Sequence, residues 1–228
     1  LMALWLAVPL SLRKAGLAAD HHWQIYLPVL LASVVLMIPA IIYAEKKSKL
    51  KPVFVAAVAL LLVSQGLLAM SLHSVWGVAA ALLVFFTAFN LLEASLPSLI
   101  SKISPVGAKG TAIGVYSSIQ FLGAFIGATA GGYLYGQHGG PALFAFCGIL
   151  LALWLVLAAT MKAPAAVHTR MYHVQEMDSG KASGLSRELA ALPGVHEALV
   201  LAGEGVAYLK VDLKGFDEKR VVQLLGEV

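Results

Sequence analysis

The sequence has few charged side chains. Asp, Glu, Lys and Arg make up 12% of its 228 residues, whereas soluble domains carry about 25%. Residues 1–170 hold ten Lys or Arg against three acids, a balance of +7, and residues 171–228 hold six against nine, a balance of −3. The basic pI of about 9.2 therefore comes from the first part. There it is typical of the cytoplasmic loops of a membrane protein, and it does not predict a nucleic-acid partner.

Residues that perform catalysis or hold metals are also few. The one cysteine, Cys147, lies inside an apolar run, and we interpret it as a small buried apolar residue. His21 and His22 have no third ligand nearby, so we predict no metal site and no cofactor. The segment DSGKASG (178–184) lacks the spacing of a phosphate-binding loop. The apolar segments contain no nucleophile–base pair and no paired carboxylates, and we expect no enzymatic activity.

Long apolar runs are what residues 1–161 do contain. A helix needs about 20 apolar residues to span a bilayer, and five runs are long enough: 24–44, 52–72, 75–103, 110–136 and 141–161. Residues 1–12 are fewer and predict the end of a truncated span, so we expect the chain to be a fragment. The predicted fold is an α-helical membrane protein with one partial and five complete spans.

Lysine and arginine are divided unevenly between alternate loops. Eight lie on one side of the predicted spans, and two, Arg13 and Lys14, lie on the other. Because cytoplasmic loops carry the excess of positive charge, we expect the loops at 45–51 and 104–109 and the C-terminal tail to face the cytoplasm. The predicted location is the inner cell membrane, with the lipid bilayer as a partner.

The sequence pattern changes after a Pro/Ala linker at 162–170. Alternation predicts strands at 171–177, 196–202 and 205–213. Apolar helical faces predict one helix within 185–195 and another after Asp217, an N-cap residue. The order β-α-β-β-α predicts a small α+β, ferredoxin-like cytoplasmic domain over residues 171–228, without the last strand of the split βαβ fold.

Several stretches resemble a known family. The segment 43–54, YAEKKSKLKPVF, resembles the basic loop signature in the C-terminal half of a major facilitator superfamily transporter. Segments 89–102 and 109–132 resemble spans ten and eleven of its proton-coupled drug-efflux members. The small domain after the last span is similar to the one appended to YajR-like transporters. The resemblance implies half of a twelve-span antiporter that exports small molecules by alternating access and needs its N-terminal half as a partner.

A second class of function stays open. The spans could anchor a regulatory or sensory protein that acts through residues 171–228. The negative balance of that domain would then let it dock on the basic loops at 45–51 or 104–109, by a contact that salt would weaken.

Glu93 is the one acid deep in an apolar run. A charge inside a span costs about 2.5–3.5 kcal/mol on insertion scales and is functional by default. It lies 18 residues after Val75, about 27 Å along a helix, so we expect it near the cytoplasmic edge. We favour a gating ion pair with a lysine of the 45–51 loop, Lys46, Lys47 or Lys49. The alternatives are a proton-coupling carboxyl group with a raised pKa and a solvated interfacial carboxylate.

Two further sets of residues are candidates. The first could line a substrate cavity, although a hydrogen bond between Asn90 and Gln120 is an alternative and aromatic residues that face lipid or the core are the simpler interpretation. It consists of Asn90, Tyr116, Gln120 and Phe121. The second recurs every four residues and predicts a close helix–helix contact, which could slide during alternating access. It consists of Gly123, Gly127 and Gly131.

Overall fold

The chain forms two compact units. The computed structural model describes residues 1–47, 49–162, 167–212 and 215–226. The first unit contains residues 1–97 and 117–163, and the second contains residues 98–116 and 164–228. The predicted boundary lay at the linker alone, whereas the second unit also includes residues 98–116. Hydrogen bonds join that segment to the C-terminal domain.

Five apolar helices precede the C-terminal domain: α1 (Met2–Lys14), α2 (Trp23–Lys46), α3 (Leu50–Ser71), α4 (Val75–Ile103) and α5 (Lys109–Thr160). By length and composition, four stretches of the described chain can cross a membrane: Ala19–Lys46, Leu50–Ser71, Val75–Ile103 and Val106–Thr160. α4 has the predicted ends. The ends of α1, α2 and α3 lie within two residues of the predicted runs. The prediction of a helical membrane protein is confirmed.

α5 is long because it joins two helical stretches across a break. Gly139 has φ of 75° and ψ of −175°, which is not helical. Glycine adopts a positive φ without the steric cost that a Cβ would bring. Pro141 follows, and its missing N–H costs little in the first turn of a new helix. The break lies inside the turn predicted at 137–140.

The helices of the first unit bury one face and expose another. Leu12, Leu68 and Leu82 have no exposed surface in the helical core. On the outside, Met70 and Trp76 are 85% and 80% exposed. Large exposed apolar faces are unfavourable in water, and they suit the hydrocarbon of a bilayer.

The described part of the C-terminal domain has the order β1 (Val167–His173), α6 (Ser179–Ala190), β2 (Val195–Leu201), β3 (Val206–Asp212) and α7 (Glu218–Gly226). The sheet is antiparallel with the order β1-β3-β2. Its apolar face packs with the helices around Leu189, Leu209 and Val221, which have no exposed surface. This small α+β domain after the spans is the one predicted.

β1 differs from its prediction. It begins at Val167, inside the segment predicted as a linker, and ends at His173 instead of continuing to residue 177. β1 is an edge strand, and most of its residues are exposed. Buried and exposed residues alternate only weakly along the strand. Its extent is therefore determined by pairing with β3, which runs from Val167 opposite Asp212 to His173 opposite Val206.

An aspartate residue caps the N-terminus of each of the two helices described in the domain. Asp178 accepts hydrogen bonds from the backbone N–H groups of Gly180 and Lys181, at 2.6 and 2.9 Å. These bonds, chiefly that from Lys181, lower the pKa of the Asp178 carboxyl group because they favour its charged form. The helix predicted within 185–195 thus begins earlier, at Ser179. Asp217 accepts from the Lys219 N–H at 3.1 Å, as predicted.

Candidate functional site

Residues of α1, α4 and α5 in the first unit border a cavity of about 640 Å³. Its described lining is mostly apolar and includes Phe89, Phe121 and Cys147, whereas Glu93 and Gln120 supply the polar groups. A concave, largely apolar site with a few convergent polar groups is typical of small-molecule binding.

Glu93 and Gln120 connect α4 to α5 beside this cavity. Gln120 Nε2 donates a hydrogen bond of 2.9 Å to Glu93 Oε1. The bond leaves the second carboxylate oxygen of Glu93 and the amide oxygen of Gln120 as further acceptors beside the cavity.

The three lysines predicted to pair with Glu93 lie at the end of α2. Lys46 is the last residue of α2, Lys47 and Lys49 follow it, and all three are exposed. Within the described residues, the hydrogen bonds and ion pairs of Glu93 do not include these lysines. The ion pair stays a prediction for another conformation, and Gln120 is the partner that the sequence did not reveal.

The four residues predicted to line a cavity lie in different environments. Gln120 and Phe121 line it, together with Glu93. Asn90 instead bonds to α2, because its Nδ2 donates to Ser33 Oγ at 3.0 Å. Tyr116 belongs to the second unit. The Asn90 side chain therefore joins α4 to α2 in this structure, because a half-buried amide group needs a hydrogen-bond partner.

The three glycines that recur every four residues also differ in their surroundings. A Cβ placed on Gly131 would lie 3.4 Å from the Cβ of Ala3 on α1, so α1 and α5 approach closely there. A Cβ on Gly123 or Gly127 would have no neighbour within 4 Å, and both glycines line the cavity. The close contact predicted for the whole series is present at Gly131.

Leucine substitutions should distinguish these positions. Gly131→Leu should destabilise the helices by about 1–3 kcal/mol, because its side chain must displace Ala3 in a packed contact. Gly127→Leu should leave stability unchanged or slightly higher and should occupy the cavity. Thermal unfolding in detergent measures this, with Gly132→Leu, which has no neighbour within 4 Å, as the control for helix propensity. Equal destabilisation at Gly127 and Gly131 would contradict this assignment.

A second group of contacts lies within the second unit, between the segment after α4 and the C-terminal domain. The Val106 N–H donates to Glu197 Oε1 at 2.9 Å, and Lys210 Nζ donates to the Ser104 carbonyl oxygen at 2.7 Å. Lys109 Nζ donates to Thr169 Oγ1 at 2.7 Å. The domain therefore contacts the 104–109 segment, one of the two loops considered for docking, whereas the predicted attraction between an acidic domain and a basic loop stays a prediction.

Lys210 is the residue of this contact that sequence reasoning missed. It lies on the central strand β3, and it is only 7% exposed. Its ammonium group is 3.9 Å from Glu197 Oε2. A buried charge is costly unless it is paired. A lysine between Leu209 and Val211 in an apolar strand was therefore an available signal of a partner elsewhere.

Within the described ranges, no three His, Cys, Asp or Glu side chains gather as a metal ion would require.

The apolar helices, their exposed outer faces and the cavity beside α4 and α5 define a helical, multi-span membrane protein. A family model described as Major Facilitator Superfamily matches residues 2–186. The chain belongs to the Major Facilitator Superfamily, and the resemblance inferred from the sequence is confirmed.

Curated relatives agree with this assignment. The chain is 41% identical over 227 residues to "Inner membrane transport protein YajR" of Escherichia coli (strain K12), covering 100% of the chain and 50% of that protein. It is 28% identical over 127 residues to "Uncharacterized transporter BU466" of Buchnera aphidicola, covering 56% of the chain and 33% of that protein. The chain thus spans half or less of the length of these relatives.

Proposed function

We propose that the chain is the C-terminal helical half, with an appended ferredoxin-like domain, of an inner-membrane transporter that exports small molecules in exchange for protons. The observation that carries this proposal is the apolar cavity bordered by the Glu93–Gln120 pair. Membership of the Major Facilitator Superfamily and similarity to an inner membrane transport protein support it. A carboxyl group beside a cavity supplies a group that can take up and release a proton.

The cavity would be completed by a second helical half. The E. coli relative is about twice as long as the matched segment. Gly123 and Gly127 line the cavity with no neighbour within 4 Å of a Cβ placed there. In alternating access, two halves rock around a site that lies between them. Small residues on this face would let the second half approach closely.

The appended domain is proposed to lie in the cytoplasm. The second unit contains both the 104–109 segment and the domain, so the two lie on the same side of the membrane. The excess of lysine in the loops at 45–51 and 104–109 supports the cytoplasmic side.

Reconstitution of the full-length transporter tests this function. Liposomes that contain it should move a small molecule against its gradient when a pH gradient is imposed, and dissipation of the pH gradient should stop this movement. The matched control is the same protein with Gly127→Leu, in which the cavity is filled. Solute movement that is indifferent to the pH gradient would contradict proton coupling. An absence of movement across a broad panel of solutes would favour the membrane-anchored regulatory function.

That regulatory function is a second candidate, favoured by the hydrogen bonds that join the domain to the 104–109 segment. Deletion of residues 167–228 from the full-length protein discriminates between the two. We expect the transport rate per molecule to be retained and only its regulation to change, because the cavity beside Glu93 lies in the first unit. Loss of all activity by a deletion variant that is still folded in the membrane would favour the domain as the functional part.

A further inference from the structure

Another cavity, of about 260 Å³, lies within the second unit, between the 106–109 segment and the sheet of the C-terminal domain. Val106, Gly107 and Lys109 form one wall, and residues of all three strands form the other. The proposed transport site in the first unit uses none of these residues. The lining has a polar part and an apolar part, and this division indicates what kind of molecule it suits.

The sheet arranges polar and apolar residues in successive rows beneath this cavity. Apolar residues of β3 that pack on the helices alternate with Tyr208 and Lys210, which point to the opposite face. In the antiparallel register, Lys210 lies opposite Thr169 and Glu197, which makes a polar row. Tyr208 lies opposite Leu199 in the next row, about 7 Å away. The cavity covers the apolar row and reaches the polar row at Thr169.

Lys109 supplies the positive charge at the polar end of the cavity. Its Nζ donates one hydrogen bond, to Thr169 Oγ1 at 2.7 Å, whereas an ammonium group has three donors. The ion pairs of the described residues do not include Lys109, and Lys210 repels it more strongly than Glu197 attracts it. A carboxylate group has two acceptor oxygens, so it would satisfy the remaining donors and offset the repulsion.

The other end of the cavity suits a short apolar chain. Leu199, Leu201 and Tyr208 line it and are half-buried. A Cβ placed on Gly107 would lie 3.1 Å from Leu199 Cδ2, so the segment approaches the sheet closely there and closes that side of the cavity. Since a water takes up about 30 Å³ of liquid, a volume of about 260 Å³ has room for a ligand of about eight heavy atoms.

We propose that this cavity binds a small carboxylic acid with an apolar chain of a few carbons. The carboxylate group of the ligand bonds to Lys109, and its chain lies on Leu199 and Leu201. Such a ligand contacts both the 106–109 segment and the sheet, so its binding stabilises the contact between them. The C-terminal domain thus has a ligand site of its own, separate from the cavity beside Glu93.

Methyl NMR of the full-length protein in nanodiscs, with labelled leucines, tests the proposal. Hexanoate is the probe, because its size matches the cavity. Leu199 lines this cavity and Leu143 lines the cavity of the first unit, so hexanoate should shift the Leu199 signals saturably and leave those of Leu143 unchanged. Affinity should rise about fourfold for each methylene group from butanoate to hexanoate. Hexanol, which lacks the carboxylate group, should bind about tenfold more weakly than hexanoate.

Two variants probe the two ends of the cavity separately. Lys109→Gln removes the charge and should raise the Kd of hexanoate about tenfold. Leu201→Trp fills the apolar end, keeps every charge and should abolish the shift at Leu199. The methyl signals of Leu189, which has no exposed surface in the core of the domain, show whether each variant still folds. Lys219→Gln, an exposed position on α7, is the matched control and should keep the wild-type affinity.

Four results would overturn the proposal. The first is the absence of a saturable shift at Leu199 with hexanoate. The second is a shift at Leu143 instead, because the acid would then occupy the cavity of the first unit. The third is equal affinity for hexanol and hexanoate with no effect of Lys109→Gln, because the carboxylate group would then not be recognised. The fourth is equal weakening by Lys219→Gln and Lys109→Gln, which would indicate an effect of general surface charge.

Discussion

Transport by the full-length protein should fall by about 5–150-fold when Glu93 is replaced by Gln, the range of typical conformational coupling energies. The amide has nearly the same shape, and it can still bond to Gln120. It cannot attract a lysine such as Lys46 when the helices rearrange. The conformation stabilised by that ion pair would lose population, whereas the proton stoichiometry should be retained. Flux in proteoliposomes with and without an imposed pH gradient measures both quantities.

The control is Asp20→Asn, which removes an acid that is 76% exposed in a short 3-10 helix before α2 and should change neither quantity. The alternatives for Glu93 give different results. Loss of the response to the pH gradient, with solute movement preserved, would make Glu93 the proton carrier. Unchanged flux and unchanged stoichiometry would contradict both roles and leave a solvated carboxylate.

The helices were predictable because their cause is local. A run of apolar residues must be helical inside a bilayer, where each backbone polar group needs a partner within its own segment. The run at 75–103 therefore coincides with α4. The cause of the break at Gly139 is also local, because glycine adopts a positive φ easily and Pro141 then begins a new helix.

The contacts of the candidate site were not predictable in the same way. Gln120 lies 27 residues from Glu93 in the sequence, and their bond depends on how α4 and α5 are rotated about their axes. The spacing of Gly123, Gly127 and Gly131 places them on one helical face. It does not indicate which of them has a neighbour, and Ala3 of α1 approaches Gly131 alone.

The strand β1 illustrates the same limit of prediction from sequence. Its residues are mostly exposed and follow weak alternation, so their own pattern does not place the ends of the strand. The register with β3 does, and that is a long-range property. Lys210 lay in the strand predicted at 205–213, yet its partner Ser104 is 106 residues away. Sequence reasoning could find the buried charge but not the carbonyl group that receives it.

Lys210→Ala should release the 104–109 segment from the C-terminal domain. The substitution leaves the Ser104 carbonyl oxygen without its donor and Glu197 without its nearby cation. A hydrogen bond to a charged group contributes about 1.5–3 kcal/mol, so amides protected by this contact should exchange about 10–150-fold faster. Glu197 is 35% exposed, and solvent screens its pairing. We therefore assign most of the effect to the bond with Ser104.

The Val106 amide reports on this release directly, because its N–H donates to Glu197 in the docked state. Hydrogen exchange of the full-length protein should show faster exchange at Val106, while amides of the α6 core around Leu189 keep their protection. Lys219→Ala, on the exposed surface of α7, is the control and should change neither. Exchange at Val106 that matches wild type would contradict the role of Lys210. Equal acceleration at Leu189 would show that the domain itself had unfolded, and that Lys210 stabilises the sheet instead of the docked segment.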